Sequence, residues 1–143
     1  MTIQQVSVFI ENRKGRLGEV LAVLKNNSIN ILSISLADTT EYGLLRLIVN
    51  DPKKAKETLS QNGFSALLTE ILVVKIPHVA GALQKILQVV SDKGVNIEYM
   101  YGLSTGGDDA SVVVKTNDLE LACSVLKDNE IETMSKEELS KYN

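Results

Sequence analysis

Two short segments of the chain lead into predicted helices through a glycine, and they carry residue types that suit the binding of a small charged molecule. They read Asn12-Arg13-Lys14-Gly15-Arg16-Leu17 and His78-Val79-Ala80-Gly81-Ala82-Leu83. Because glycine has no Cβ, it lets the backbone adopt positive φ or approach a ligand closely. The first helical turn then offers unpaired N–H groups and the positive end of the helix dipole, which suit a carboxylate. Plain turn glycines are the alternative interpretation.

Asparagine recurs in the first segment and where the next predicted strand of each half begins. Asn12 lies in the first segment, and Asn30-Ile31 and Asn96-Ile97 begin the strands. An asparagine amide can donate to one group and accept from another, so it can orient both an ammonium and a carboxylate group. An amino acid carries one of each. Ordinary turn or strand-start positions are the alternative for these asparagines.

The chain offers little for catalysis or metal binding. His78 is its only histidine and Cys123 its only cysteine, which excludes an internal disulfide or a CxxC metal site. Ser-His-Asp, HExxH, Walker and GxGxxG patterns are absent. Asp108-Asp109 has cation-binding chemistry but no third partner, so we interpret it as solvated. We therefore expect no enzyme activity and no cofactor.

Composition and charge narrow the class of protein further. The chain has 143 residues, of which 44% are hydrophobic and 23% charged, and its net charge is −3. A mildly acidic chain is a poor candidate for nucleic-acid binding, which favours a basic surface. The beginning of the chain does not resemble a signal peptide, and the densest apolar run, Ile71–Val74, is too short to span a bilayer. We expect a cytoplasmic protein with no nucleic-acid or membrane partner.

The chain repeats itself once, and ten identical pairs support the repeat. At a separation of 66 residues the pairs are Gly15/Gly81, Leu17/Leu83, Leu21/Leu87, Asn30/Asn96 and Ile31/Ile97. After one inserted residue they are Asn50/Asn117, Asp51/Asp118, Ala55/Ala122, Leu59/Leu126 and Asn62/Asn129. Ten identities in order, with a single change of length, indicate a duplicated unit.

Hydrophobic periodicity repeats with the sequence. Alternating apolar residues predict a first strand in each half, around Val6–Ile10 and Leu72–Ile76, and helical spacing predicts a helix after it. Asp51-Pro52 and Asp118 predict the start of a second helix. The remaining predictions are second strands at 30–37 and 96–103, turns at Thr39–Gly43 and Thr105–Asp109, third strands at 44–49 and 110–115, fourth strands at 64–69 and 131–134, and a terminal helix after Ser135.

Each half is therefore predicted to be β-α-β-β-α-β, the ferredoxin-like plan. The fold class is α+β, with two such βαββαβ units in tandem, antiparallel sheets and helices on one face. The expected domains are 1–69 and 70–143. Strands such as 44–49 are apolar on both sides except at Arg46. Because a strand of this kind needs cover on both faces, we expect the other repeat or a second chain to supply it, and we predict a homodimer.

The first loop and the start of the second strand identify a family resemblance. Glu11-Asn12-Arg13-Lys14-Gly15-Arg16-Leu17 resembles the E-N-R-P-G-x-L loop of the ACT domain, with Lys14 in place of the usual proline. Lys93-Gly94-Val95-Asn96-Ile97 resembles the family's G-V-N-I-like approach to the second strand. The second loop departs from the pattern, because His78 stands where Asn12 stands in the first half. The resemblance covers nearly the whole chain.

The resemblance implies a stand-alone tandem ACT protein that binds a free amino acid or a similar small zwitterion and regulates a metabolic enzyme or transporter. In ACT proteins such as phosphoglycerate dehydrogenase the loop of one unit faces the second strand of its neighbour, and the ligand lies between them. Carried over, Asn12 faces Asn96 and His78 faces Asn30. The implied ligand-binding residues are Asn12, Arg13, Lys14, Gly15, Arg16, Leu17, Asn30, Ile31, His78, Ala80, Gly81, Ala82, Leu83, Asn96 and Ile97.

Three other functions compete with this interpretation. The first is a structural or protein-interaction module whose pockets bind nothing. The second is an acylphosphatase-like enzyme, for which Arg13 or Arg16 with Asn30 supplies the residue types, although the loop motif of that family is absent. The third is RNA binding, but the third strands, 44–49 and 110–115, carry none of the aromatic residues that stack on bases.

Overall fold

The computed structural model describes residues 2–38, 41–104 and 110–142. Its elements are β1 (Ile3–Glu11), α1 (Arg16–Asn26), β2 (Ile31–Asp38), β3 (Tyr42–Val49), α2 (Pro52–Gln61), β4 (Ser65–Ile76), α3 (Ala82–Asp92), β5 (Ile97–Leu103), β6 (Ala110–Thr116), α4 (Leu119–Asp128) and α5 (Lys136–Ser140). This order confirms the α+β fold class and the ferredoxin-like plan of each half. The predicted turn Thr105–Asp109, with Asp108-Asp109, and Thr39 and Thr40 of the other predicted turn lie outside the described residues.

The chain divides into two compact units. One is Gln4–Thr69, and the other combines Glu70–Tyr142 with Thr2 and Ile3. The fourth strand of the first half runs directly into the first strand of the second half, and together they form one strand of 12 residues, β4. Because residues 65–76 contain no Gly, Pro, Asn or Asp, no turn residue stops the extended backbone there.

The first unit buries one face of its sheet under α1 and α2. β3 pairs antiparallel with both β1 and β2, and the register places Val8 opposite Leu45 and Ile34 opposite Leu47. Directly opposed residues project from the same face of a sheet. The core on this face consists of Val6, Val8, Ile10, Val20, Leu24, Ile29, Leu45, Leu47, Val49, Ala55, Leu59 and Phe64.

The second unit follows the same plan. β6 pairs antiparallel with β4 and β5, with Val74 opposite Val112. Its core combines alternate strand residues with the apolar sides of α3 and α4, and consists of Leu72, Val74, Ile76, Ile86, Val90, Val95, Val114, Ala122 and Leu126. No helix in the described part of the chain is long and apolar enough to cross a membrane.

The prediction of a final strand at 131–134 is wrong, because the segment forms one isolated bridge and not a strand. Only Thr133 forms a bridge, with Val74, and two hydrogen bonds flank it. Lys75 N–H donates to the carbonyl of Glu132 at 2.9 Å, and Met134 N–H donates to the carbonyl of Val73 at 2.8 Å. The next residue, Ser135, already caps α5. The segment is therefore too short to continue as a strand.

Helix α5 lies on the face of the second sheet opposite α3 and α4. Lys75 alternates with the core residues Val74 and Ile76, so it projects from the other face. There its Nζ lies 2.6 Å from Glu138 of α5 and 3.4 Å from Glu132. The hydrogen bond to Glu138 raises the pKa of Lys75, and the same bond lowers the pKa of Glu138. This ion pair connects α5 to the sheet.

Candidate functional site

Helices α1 and α3 begin in the same way. Gly15 and Gly81 are their N-caps, both in the left-handed region, with φ of 89° and 85°. No side-chain hydrogen bond caps either helix. Helices α2 and α4 differ, because Asp51 and Asp118 accept hydrogen bonds from the amides of their first turns. The helices behind the two candidate loops therefore keep an uncapped, electropositive first turn that can receive an anionic group.

Backbone conformation, and not crowding, explains the glycine in both loops. A Cβ added at Gly15 or Gly81 would meet nothing within 4 Å. Their positive φ is a conformation that residues with a Cβ seldom adopt. The space beside each glycine is open, as a site for a small molecule requires.

The side chains of the first loop are held partly by ion pairs with neighbouring glutamates. Asn12 N–H donates to the carbonyl of Glu41 at 3.0 Å, which ties the loop to the start of β3. The guanidinium of Arg13 contacts Glu11 at 2.9 Å, and both side chains are exposed. Lys14 is also exposed. The side chains of Arg13 and Lys14 are thus solvated.

Arg16 differs from Arg13 and Lys14 because it is largely buried. Only 15% of its side chain is exposed, and it forms an ion pair with Glu19. Its guanidinium carbon lies 4.2 Å from the centre of the Phe64 ring. Its Nε is buried without a partner among the described residues. Arg16 therefore packs the start of α1 against the segment that follows α2, and no local sequence pattern indicates its contact with Phe64.

An open groove of about 860 Å³ lies beside the second loop. Four residues of the second loop line it: His78, Gly81, Ala82 and Leu83. The other lining residues are Ile76, Pro77, Val79, Gln84, Leu87, Gln88, Ser91 and Ala110. The described lining contains no Asp, Glu, Lys or Arg. The groove therefore offers a largely apolar surface, with polar groups from an imidazole, two amides and a hydroxyl.

A second groove, of about 630 Å³, involves the other side of α3. Ala80 lines this groove together with Val79 and Gly81. Charged residues lie in its wall, in contrast to the first groove: Lys75, Lys85, Glu130 and Glu132. The second loop thus borders one neutral groove and one charged groove.

The asparagines that begin the second strands are held through their backbones. Asn30 N–H donates to Asn50 Oδ1 at 3.0 Å, and Asn50 N–H donates to the carbonyl of Asn30 at 3.2 Å. Asn96 and Asn117 repeat both bonds, at 2.9 and 3.2 Å. Asn30 and Asn96 are themselves exposed. Asn50 and Asn117 are one of the identical pairs of the sequence repeat, but they are not among the predicted site residues.

The residues that follow these asparagines differ in environment. Ile31 is 37% exposed, whereas Ile97 packs against the core of the second unit. Neither Asn96 nor Ile97 lines the two grooves beside α3. The facing of Asn12 with Asn96, and of His78 with Asn30, stays a prediction. The described residues contain no group of three or more His, Cys, Asp or Glu that could hold a metal ion.

Comparisons with known proteins agree with the duplicated fold. The family model described as "ACT domain pair" matches residues 1–143. A crystal structure of a protein from Bacteroides thetaiotaomicron is 37% identical, with a TM-score of 0.92, and the match covers 99% of this chain and 97% of that chain. No curated protein sequence matches.

More distant structures share the fold. The ligand-free regulatory subunit of aspartate kinase from Thermus thermophilus has a TM-score of 0.65 at 23% identity, and the match covers 87% of this chain and 88% of that one. Aspartate kinase from Clostridium acetobutylicum has a TM-score of 0.52 at 16% identity, and the match covers 89% of this chain but 33% of that enzyme. At these identities the similarity is one of fold.

Proposed function

Because this chain belongs to the ACT domain pair family, we propose that it binds a free amino acid, or a similar small zwitterion, beside the loops that precede α1 and α3. One observation carries the proposal: the helices that follow these loops are the ones that begin at a left-handed glycine without a side-chain cap. The α-carboxylate of the ligand would accept hydrogen bonds from the first-turn amides. In this family such binding is regulatory, so we propose a regulator and not an enzyme.

The ammonium group of the ligand needs acceptors, and the asparagines that the family resemblance assigns to the site can supply them. The side chains of Asn30 and Asn96 are exposed while their backbones are held by Asn50 and Asn117. The amide oxygen of each can accept from an ammonium group, and its NH₂ can donate to a carboxylate. Asn12 brings the same chemistry to the first loop.

The state of the two arginines disfavours the acylphosphatase alternative. Arg13 is paired with Glu11, and Arg16 is paired with Glu19 and stacked on Phe64. An arginine that binds a transferring phosphoryl group must offer its guanidinium to the substrate. Here each guanidinium already has a carboxylate partner, which supports a binding role for this loop over a catalytic one.

We also propose that the protein forms a homodimer through β2 of the first unit. β2 lies at the edge of its sheet. Ile31, Ile34 and Leu36 on this strand are 37%, 47% and 49% exposed. An edge strand with an exposed apolar row and no lysine or proline is suited to pairing with another chain. A second copy would cover it.

The regulated partner is proposed from the family alone, as an enzyme of amino-acid metabolism or a transporter. The Thermus thermophilus structure is a regulatory subunit of aspartate kinase, which is one example of such an arrangement. The amino acid would then act as an effector whose binding changes the affinity of this chain for its partner. Location in the cytoplasm follows as part of the same proposal.

Isothermal titration of the full chain with each of the twenty amino acids tests the proposed binding. We expect saturable heat from one amino acid or a small group of similar ones. Light scattering at micromolar concentration in the same buffer tests the dimer, with Leu36→Glu as the disrupting variant and Leu121→Glu, another exposed leucine, as its control. A chain that binds none of the twenty would support the alternative of an interaction module with non-functional pockets.

A further inference from the structure

Asn50 closes a two-bond ring with Asn30 across the end of the first unit's sheet. Its Oδ1 accepts from Asn30 N–H at 3.0 Å, and its own N–H donates to the carbonyl of Asn30 at 3.2 Å. Both backbone polar groups of Asn30 are therefore engaged by one residue. The side chain of Asn30 takes no part in this ring and stays exposed.

The residues around this ring are held from both sides. Ile29, immediately before Asn30, is 7% exposed and belongs to the core. Asp51, immediately after Asn50, accepts from Lys54 N–H at 3.1 Å and caps α2. The backbone at Asn30 is thus anchored on one side by the core and on the other by a residue that is itself fixed to the start of a helix.

The second unit builds the same ring in equivalent surroundings. Asn117 Oδ1 accepts from Asn96 N–H at 2.9 Å, and Asn117 N–H donates to the carbonyl of Asn96 at 3.2 Å. Val95 is 4% exposed and Asp118 caps α4. Such a ring needs a side-chain acceptor at one position only, and asparagine occurs at both positions of both rings. The ring itself therefore does not explain Asn30 and Asn96.

We propose that Asn50 and Asn117 are positioning residues of the ligand sites, which fix the backbones of Asn30 and Asn96 so that those side chains are presented to the amino acid. This inference rests on the proposed function. Replacing Asn50 by Ala removes the acceptor, so the backbone of Asn30 gains conformational freedom. Ligand binding must then fix Asn30 again, and this entropy cost weakens the affinity. Asn50→Asp keeps an oxygen in the Oδ1 position, so it should preserve the ring.

The affinity of the full chain for the amino acid that gives the largest heat in the twenty-member titration tests this role. Asn50→Ala or Asn117→Ala should weaken it by about 3- to 10-fold, the worth of roughly one neutral hydrogen bond. Asn50→Asp should restore the affinity to within about twofold, since its acceptor is retained. The control is Asn62→Ala, which loses a bond of similar kind, from Asn62 Nδ2 to the carbonyl of Thr58 at 2.7 Å. It should cost stability without a loss of affinity.

Hydrogen exchange without amino acid supplies the second readout, because it tests the ring independently of binding. The amide of Asn30 should exchange faster in Asn50→Ala than in the unmodified chain, and at an unchanged rate in Asn62→Ala. Two results would overturn the positioning role alone, provided that the unmodified chain binds an amino acid. One is an unchanged affinity in both Asn50→Ala and Asn117→Ala. The other is an affinity in Asn62→Ala that falls as much as in those two variants. An unmodified chain that binds no amino acid would overturn the proposed function and, with it, this role.

Discussion

The loops before α1 and α3 share one backbone and differ in nearly every side chain. Gly15 and Gly81 have the same left-handed conformation, and both helices begin without a side-chain cap. Around Gly15 two arginines are paired with glutamates, whereas Gly81 borders one groove lined without Asp, Glu, Lys or Arg and a second groove with charged residues in its wall. The duplication has thus kept the backbone that can receive a carboxylate and changed the groups that would recognise the rest of a ligand.

The two units also differ in the residues that pack behind each loop. Arg16 lies over the ring of Phe64 in the first unit, and the equivalent positions in the second unit are Ala82 and Ile131, which pack against its core. A charged residue with an aromatic partner has been exchanged for two apolar ones. Two loops with the same backbone conformation therefore need not be equivalent sites. We expect the two loops to differ in their affinity for an amino acid.

The largest expected effect is on binding at the first loop. Asn12→Ala and Asn96→Ala should each weaken amino-acid affinity by about 10- to 100-fold, because a charge-assisted hydrogen bond is lost. His78→Ala should have a smaller effect, since an imidazole stands where the family pattern has asparagine. Calorimetric titration of the three variants compares the loops directly. Unchanged affinity in the Asn12→Ala, Asn96→Ala double variant would show that the main site lies elsewhere.

The next effect concerns the shared backbone. Gly15→Ala and Gly81→Ala should each lower the free energy of unfolding by about 1–2 kcal/mol, because a residue with a Cβ is strained at positive φ. Gly18 supplies the control: it lies within α1, and a Cβ there would also meet nothing within 4 Å. Gly18→Ala should therefore raise the stability, by about 0.5–1 kcal/mol. Urea unfolding measures all three. Unequal losses of unfolding free energy in Gly15→Ala and Gly81→Ala would show that the two loop backbones are not equivalent.

A smaller effect should separate the two arginines of the first loop. Arg16→Ala should cost about 0.5–1 kcal/mol of stability through the lost cation–π contact with Phe64. Arg13→Ala should cost almost nothing, because its ion pair with Glu11 is exposed. A double-mutant cycle of Arg16→Ala with Phe64→Leu isolates the contact. A coupling energy near zero would mean that Arg16 is held by its pair with Glu19 instead.

The smallest effect is a pH dependence limited to the second unit. Lys75 occupies the position of Phe9 in the first unit, where the side chain is 46% exposed. Because the pKa of Glu138 is lowered by its bond to Lys75, this pair contributes stability above the ordinary carboxyl pKa of 4.5 and loses it as the pH falls through the lowered value. The raised pKa of Lys75 means that the contribution is lost again only in strong alkali, above 10.5.

Hydrogen exchange of the Leu139 amide measures this dependence, since that amide donates to the carbonyl of Ser135 within α5. Protection relative to the intrinsic exchange rate should fall modestly between pH 6 and pH 3. Glu138→Gln should remove most of the difference. An amide of α3, such as Lys85, is the control and should keep its protection in both proteins, because no carboxylate caps that helix.

Much of the fold was predictable because local sequence patterns specify most of its strands and helices. Alternating apolar residues, helical spacing and the Asp51-Pro52 and Asp118 caps correctly predicted the strands and helices through α4. The final strand failed because Ser135 caps a helix where a strand would have to continue. The continuity of β4 was also indicated by the sequence, because almost no residue separates its two predicted halves.

The candidate site was predictable only in part. The sequence left open whether Gly15 and Gly81 serve a positive φ or the close approach of a ligand, and the structure shows that both have positive φ. The contact of Arg16 with Phe64 joins residues far apart in sequence, and no periodicity contains that information. The rings of Asn50 with Asn30 and of Asn117 with Asn96 left a trace, since all four asparagines were repeat identities. That trace could have identified Asn50 and Asn117 as partners of Asn30 and Asn96.

The sequence by itself determined the duplication, the ferredoxin-like plan, the family resemblance and the two glycine loops, because each depends on residue types at short and regular spacing. Only the tertiary structure decided the burial of Arg16, the neutral groove beside α3 and the position of α5 on the second face of its sheet. Each of these requires side chains from separate elements to meet in space. Packing of distant segments sets those meetings, and a local pattern cannot specify them.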